Sequence, residues 1–108
     1  MEFVWSDAVI LLAVCGRNDC GGSDRASIID MGGFVARSHL TDVEYFGGVF
    51  RLLDAGHIYI DDERIFADEA ALHHCGSPPA ECEDVDQWTE HMMRFLGITW
   101  PHLTNRCS

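Results

Sequence analysis

Leu40-Thr41-Asp42-Val43-Glu44 opens, and Arg51-Leu52-Leu53-Asp54-Ala55-Gly56-His57-Ile58 closes, the segment around which the rest of the chain is organised. Thr41-Asp42-Val43-Glu44 is a capping box. The Thr41 side chain covers the N3 amide, and Glu44 reaches back to the cap amide. The helix that follows is expected to bury a stripe of Val43, Phe46, Val49, Phe50 and Leu53, and Gly56 stops it. Immediately afterwards come His57-Ile58-Tyr59-Ile60, the polar Asp61-Asp62-Glu63-Arg64, and Ile65-Phe66-Ala67. Two short β-branched and aromatic runs around a polar turn predict a β-hairpin. Each glycine of Gly47-Gly48 costs a helix about 1 kcal/mol relative to alanine. The pair therefore implies close packing of another helix, or of a partner, at that point.

Towards the N-terminus, Ser6-Asp7 precedes the run Val9-Ile10-Leu11-Leu12-Ala13-Val14-Cys15, and Gly16 follows it. An N-cap signal and a C′ glycine predict a first helix over 7–15. It is apolar on every side, as a central buried helix is. The stretch 17–24 reads as a loop. Ser27 is expected to cap a second helix carrying Ile28, Ile29, Met31, Phe34 and Val35. Towards the C-terminus, Asp68 caps a short helix that runs through Cys75 and closes at Gly76. Ser77-Pro78-Pro79-Ala80 breaks the chain. A last helix from about Asp84 to Phe95 places Val85, Trp88, Met92, Phe95 and Leu96 at helical spacing.

Three helices, a hairpin and further helix form the order of a winged-helix domain, which the segment 7–67 resembles. Within it, the capped third helix ending in Leu52-Leu53 and turning through Gly56 into Ile58 is similar to the family's third helix and first wing strand. The expected fold class is mainly α with a small β-hairpin. It has a winged-helix-like three-helix core and wing over 7–67 and a C-terminal helical extension over 68–108, all one domain. In DNA-binding winged helices the third helix enters the major groove and the wing touches backbone. Here the first turn carries Asp42 and Glu44 and the wing tip is Asp61-Asp62-Glu63, so both elements would meet phosphate with like charge.

The whole chain has the same bias. Its 108 residues carry 18 acidic and 7 basic side chains, a formal net charge of -11, and every basic one is arginine. Nucleic acid and anionic membranes are poor partners for such a chain. A basic protein is a good one, because complementary fields speed encounter. Five cysteines, Cys15, Cys20, Cys75, Cys82 and Cys107, form an odd set. An odd set fits no fully paired framework and points to a reducing, cytoplasmic setting. The apolar run 9–15 is too short to span a bilayer. It also lacks the positive flank of a signal peptide, with Glu2 and Asp7 ahead of it.

No local signature of catalysis or phosphate binding is present. The expectation is a non-catalytic protein-interaction module, extending to an inhibitor or immunity-type protein that occludes a basic partner such as a nuclease toxin. Asp42, Glu44, Tyr45, Arg51, Asp61, Asp62, Glu63 and Trp88 are the candidate partner-binding residues, with Tyr59 and Trp100 as further aromatic anchors. The alternatives are a winged-helix DNA-binding regulator and a small zinc protein using His74, Cys75 and Cys82. The Cys75-x6-Cys82 spacing matches no compact zinc site, and His73 and His74 diverge by about 100° on a helix. No metal or cofactor is therefore expected. Cys15 and Cys20 are close enough in sequence for a local pair, but their spacing is not the redox Cys-x-x-Cys, and one core thiol and one loop thiol are expected. The last helix is a candidate homodimer element.

Overall fold

The computed structural model describes residues 3–17, 21–36, 40–76 and 85–98. Cys20, Cys82, Trp100, Cys107, the break at 77–80 and the acids Glu81, Glu83 and Asp84 lie outside them. Among the described residues there are five helices and one hairpin. In chain order they are α1 (Trp5–Gly16), α2 (Arg25–Ala36), α3 (Asp42–Ala55), β1 (Ile58–Asp61), β2 (Arg64–Ala67), α4 (Glu69–Cys75) and α5 (Val85–Leu96). The protein is mainly α with a small hairpin, an arrangement compatible with a winged-helix-like one. No described helix is long and apolar enough to cross a membrane.

The apolar run on α1 becomes the axis of the core. Ala8, Val9, Ile10, Leu11, Ala13 and Val14 are all buried, and α2, α3, α4, α5 and β2 pack around them. Each fully buried Val, Leu or Ile contributes about 1.5–3 kcal/mol relative to an exposed one. The helix starts two residues earlier than expected, at Trp5. Asp7 is thus its third residue rather than its cap. Its carboxylate accepts from the Val4 amide at 3.0 Å, satisfying one of the donors that a helix start leaves open. On α2 the cap is Asp24 rather than Ser27. The Ser27 amide donates to Asp24 at 2.8 Å, and that bond holds the Asp24 carboxyl below its usual range.

The capping box on α3 forms as read. Thr41 Oγ1 accepts from the Glu44 amide at 3.2 Å, and Glu44 accepts from the Thr41 amide at 3.0 Å. At the other end Gly56 adopts the left-handed conformation (φ 80°), which has little steric cost only in glycine. The chain then enters the hairpin, where Ile58 pairs with Ala67 and Asp61 with Arg64. Asp62 and Glu63 both have positive φ, as a tight two-residue hairpin turn requires. Tyr59 stacks on its cross-strand neighbour Phe66.

The hairpin is tied down on its second strand. Ser23 and Ile65 exchange two backbone hydrogen bonds, at 2.9 and 2.8 Å, and so fasten β2 to the loop between α1 and α2. At its root His57 lies between the Phe3 and Phe95 rings, at 5.5 and 5.0 Å. Burial there lowers its pKa from the ordinary 6.5, against the opposing charge of Asp68. The unfolded chain therefore takes up this proton first as pH falls, and stability is lost from about pH 6.5 downwards through the lower folded value. Urea midpoints measured at pH 7.5 and 5.0 should fall further for the wild type than for His57→Phe. Equal losses would show that His57 carries none of the pH dependence.

The C-terminal pair closes the other side of α1. Met92, Met93 and Leu96 of α5 are buried, and Trp88 and Phe95 pack against the core. The two helices α4 and α5 are clasped by a reciprocal pair of histidines. His74 Nε2 donates to the His91 carbonyl at 2.8 Å, and His91 Nε2 donates to the His74 carbonyl at 2.7 Å. Their rings stack with centroids 3.8 Å apart. Because a carbonyl only accepts, both Nε2 atoms must carry hydrogen.

Candidate functional site

Two apolar rows run along α3, and the structure buries the one that hydropathy favours less. Tyr45, Gly48 and Leu52 face the core. Val43, Phe46 and Phe50, three residues of the stripe expected inside, are 84, 56 and 62% exposed. Position 48 is the reason. A Cβ there would run into the Ile10 side chain and lie 2.9 Å from an Asp7 carboxylate oxygen. Only glycine lets α1 come this close. Once it does, the face through residues 45, 48 and 52 is inside, and the phenylalanines, at i+1 and i+5 from Tyr45, are turned out.

A buried ion pair fixes the same interface. Asp7 is fully buried, and Arg51 reaches it with two bonds, Nε to Oδ2 at 2.7 Å and a terminal nitrogen to Oδ1 at 2.8 Å. Together with the Val4 amide these satisfy the carboxylate, which a fully desolvated charge requires. The guanidinium passes over Gly47, 3.3 Å from where a Cβ would be. The two glycines therefore have separate jobs. Gly48 admits α1, and Gly47 leaves the path along which Arg51 crosses to Asp7.

These contacts correct part of the sequence reading of α3. Tyr45 is 5% exposed, so it belongs to the core and not to the outer face. Arg51 is turned towards α1 and committed to Asp7. Glu44 is occupied by the capping box, through bonds to both the Thr41 amide and hydroxyl. Asp42 is exposed and paired with Arg25, whose guanidinium also lies over the Phe46 ring at 5.0 Å. Trp88 is half-buried and donates its indole N–H to the Cys75 carbonyl at 3.2 Å. Asp61, Asp62 and Glu63 are exposed at the hairpin tip, as read, with Tyr59 and Ile60 exposed on the strand beside them.

The resulting outer surface of α3 is an apolar row, Val43, Phe46 and Phe50, with Asp42 at its start and Asp54 at its end, all exposed. Large apolar side chains gathered on one exposed face, with a polar rim, are the usual mark of an interaction site. The helix has one cation, Arg51, and it is already neutralised. Sequence reading missed this row because hydropathy placed the phenylalanines inside. The spacing Tyr45–Gly48–Leu52 opposite Ile10 was the available signal.

The zinc candidates do not assemble on the described residues. His74 is stacked on His91, His73 is exposed, and Cys82 lies outside the description. Among the described residues no group of three or more His, Cys, Asp or Glu side chains is placed to hold a metal ion. Cys75 instead neighbours Cys15, whose thiol points at the Ala71 carbonyl one turn before Cys75. Cys20, the other candidate neighbour of Cys15, lies outside the described residues. The chain has no significant match to a protein-family model, to a curated protein or to a solved structure.

Proposed function

We propose that this protein is a non-catalytic interaction module of winged-helix-like build. In this reading the outer face of α3 docks on a basic protein, as an inhibitor or immunity-type protein does. The observation that carries the reading is the exposed row Val43, Phe46 and Phe50 on a helix whose other face is fully committed to α1. Element order supports the winged-helix part, as does the way Ser23 fastens the hairpin to the helical core. The net charge of -11 supports a basic partner. Long-range attraction would speed encounter, and the two phenylalanines would supply the desolvated anchors on which affinity depends. A reducing, cytoplasmic setting is in keeping with the free thiols Cys15 and Cys75.

A DNA-binding role fits this surface less well. Phosphate contacts need cations, and α3 itself offers only apolar and acidic side chains on its described outer face, while Arg25, which reaches that face from α2, is already paired with Asp42.

The double variant Phe46→Ser/Phe50→Ser tests the proposal. Both rings are mostly exposed, so thermal stability should change little. Capture of a basic partner, released from the wild type by salt, should weaken at least about 30-fold, as expected for loss of two aromatic anchors. Capture that the variant leaves intact would remove α3 from the interface. A wild-type dimer that the variant dissociates would assign the face to self-association instead. Nucleic acid in the eluate would restore the regulator reading.

A further inference from the structure

Cys15 and Cys75 are far apart in sequence but adjacent in space. Cys15 sits in the last turn of α1, and Cys75 is the last residue of α4. Cys15 Sγ also points at the Ala71 carbonyl, 3.9 Å away and one turn before Cys75. Trp88 holds the other side, its indole N–H bonded to the Cys75 carbonyl. Both cysteines are half-buried. They are close enough to the surface for a small solute to reach and are supported by packing on the core.

We propose that Cys15 and Cys75 are a redox pair that a peroxide converts to a disulfide, clamping α1 to α4. The chemistry divides between the two sulfurs. The Cys15 hydrogen is directed at the Ala71 carbonyl, which keeps Cys15 the thiol of the pair, and the neighbouring Cys75 and burial push it up further. Among the described residues Cys75 has no such acceptor holding its hydrogen, and it is lowered towards neutrality beside Cys15. Cys75 is therefore the nucleophile, since the thiolate is the reactive form. Its sulfur attacks hydrogen peroxide, an S–O bond forms, the O–O bond breaks, and the departing hydroxide takes up a proton to become water. The sulfenic acid at Cys75 is then attacked by the Cys15 sulfur. The S–S bond forms, the S–O bond breaks, and a second water leaves. Two electrons pass from the two sulfurs to one peroxide. A dithiol reductant reverses the reaction by exchange.

The bridge would close a loop containing α2, α3 and the hairpin. A loop that long removes much freedom from the unfolded chain. The test uses the variant Cys20→Ser/Cys82→Ser/Cys107→Ser, which keeps only this pair, beside the wild type. Each is treated with hydrogen peroxide, alkylated and mapped by mass spectrometry. The expected product has lost two hydrogens and carries a Cys15–Cys75 cross-linked peptide. Its melting temperature should rise by about 10 °C, and dithiothreitol should return both mass and melting temperature to their starting values. Three results would overturn the proposal. One is wild-type linkage within Cys15–Cys20 or Cys75–Cys82. Another is over-oxidation of Cys75 without a cross-link, and the third is no loss of free thiol. The wild-type peptide map decides even if the triple variant folds poorly.

Discussion

Arg51→Met should destabilise the protein by about 3–5 kcal/mol, the cost of leaving one charge of a buried pair without its partner. That is a large share of the 5–15 kcal/mol that holds a typical domain together. The effect should be asymmetric. Asp7 is fully buried, whereas the Arg51 side chain retains 25% exposure. In Asp7→Ala the orphaned guanidinium can turn to water, so the loss should be nearer 2 kcal/mol, from the small cavity and the vacated Val4 amide. A double variant, Asp7→Ala/Arg51→Met, should lose well under the sum of the two, because no unpaired charge remains. Urea titrations of the four proteins measure all of this. Equal losses for the two single variants would mean that the pair is effectively solvated.

The sequence revealed the features whose chemistry is local. Thr41 and Glu44 announced α3 because a capping box needs only four consecutive residues. Gly56 ended the helix because a left-handed cap favours glycine. The polar tetrad Asp61–Arg64 between two β-branched and aromatic runs marked the hairpin, although its outer two residues pair in the strands. The burial of α1 was legible because a helix apolar all round has no solvent face. What could not be read was the side of α3 that faces in. Hydropathy weighed Phe46 and Phe50 above Tyr45, and the deciding residue, Gly48, has no hydrophobic weight of its own. Helix positions 7 and 51 are 44 residues apart, and His74 and His91 are 17 apart. No spacing rule links either pair, and the same holds for Cys15 and Cys75. Ser6-Asp7 was read as a cap signal because such a polar pair before an apolar run ordinarily is one. The burial of Asp7 depends on a partner that arrives only with the tertiary fold. The candidate surface was misread for the same reason. Its acidic frame was visible, and its apolar centre was assigned to the core.

Gly48→Val should be at least as damaging as loss of the ion pair. A Cβ at this position has no room. It would overlap Ile10 and crowd the Asp7 carboxylate, so both the packing and the electrostatics of the α1–α3 contact fail together. Overpacking by a single methyl typically costs about 1–3 kcal/mol, which is the expectation for Gly48→Ala. The two further methyls of valine must push the helices apart, and a loss above about 3 kcal/mol follows. The adjacent glycine is the control. At Gly47 the nearest atom to an added Cβ is the Arg51 guanidinium at 3.3 Å, the far end of a long side chain. The crowding there is offset by the helix propensity of alanine, worth about 1 kcal/mol over glycine. Gly47→Ala should therefore change stability by less than about 1 kcal/mol. Chemical denaturation of the three variants distinguishes packing from propensity, because propensity alone predicts that both alanine substitutions stabilise. A stable Gly48→Ala would mean that α1 and α3 are not held at this separation, and the phenylalanine row would no longer have to face outward. Partner capture by the same variants extends the argument from packing to function. Gly47→Ala leaves the outer row in place and should bind like the wild type, whereas Gly48→Val, by displacing α3, should lose the partner along with its stability.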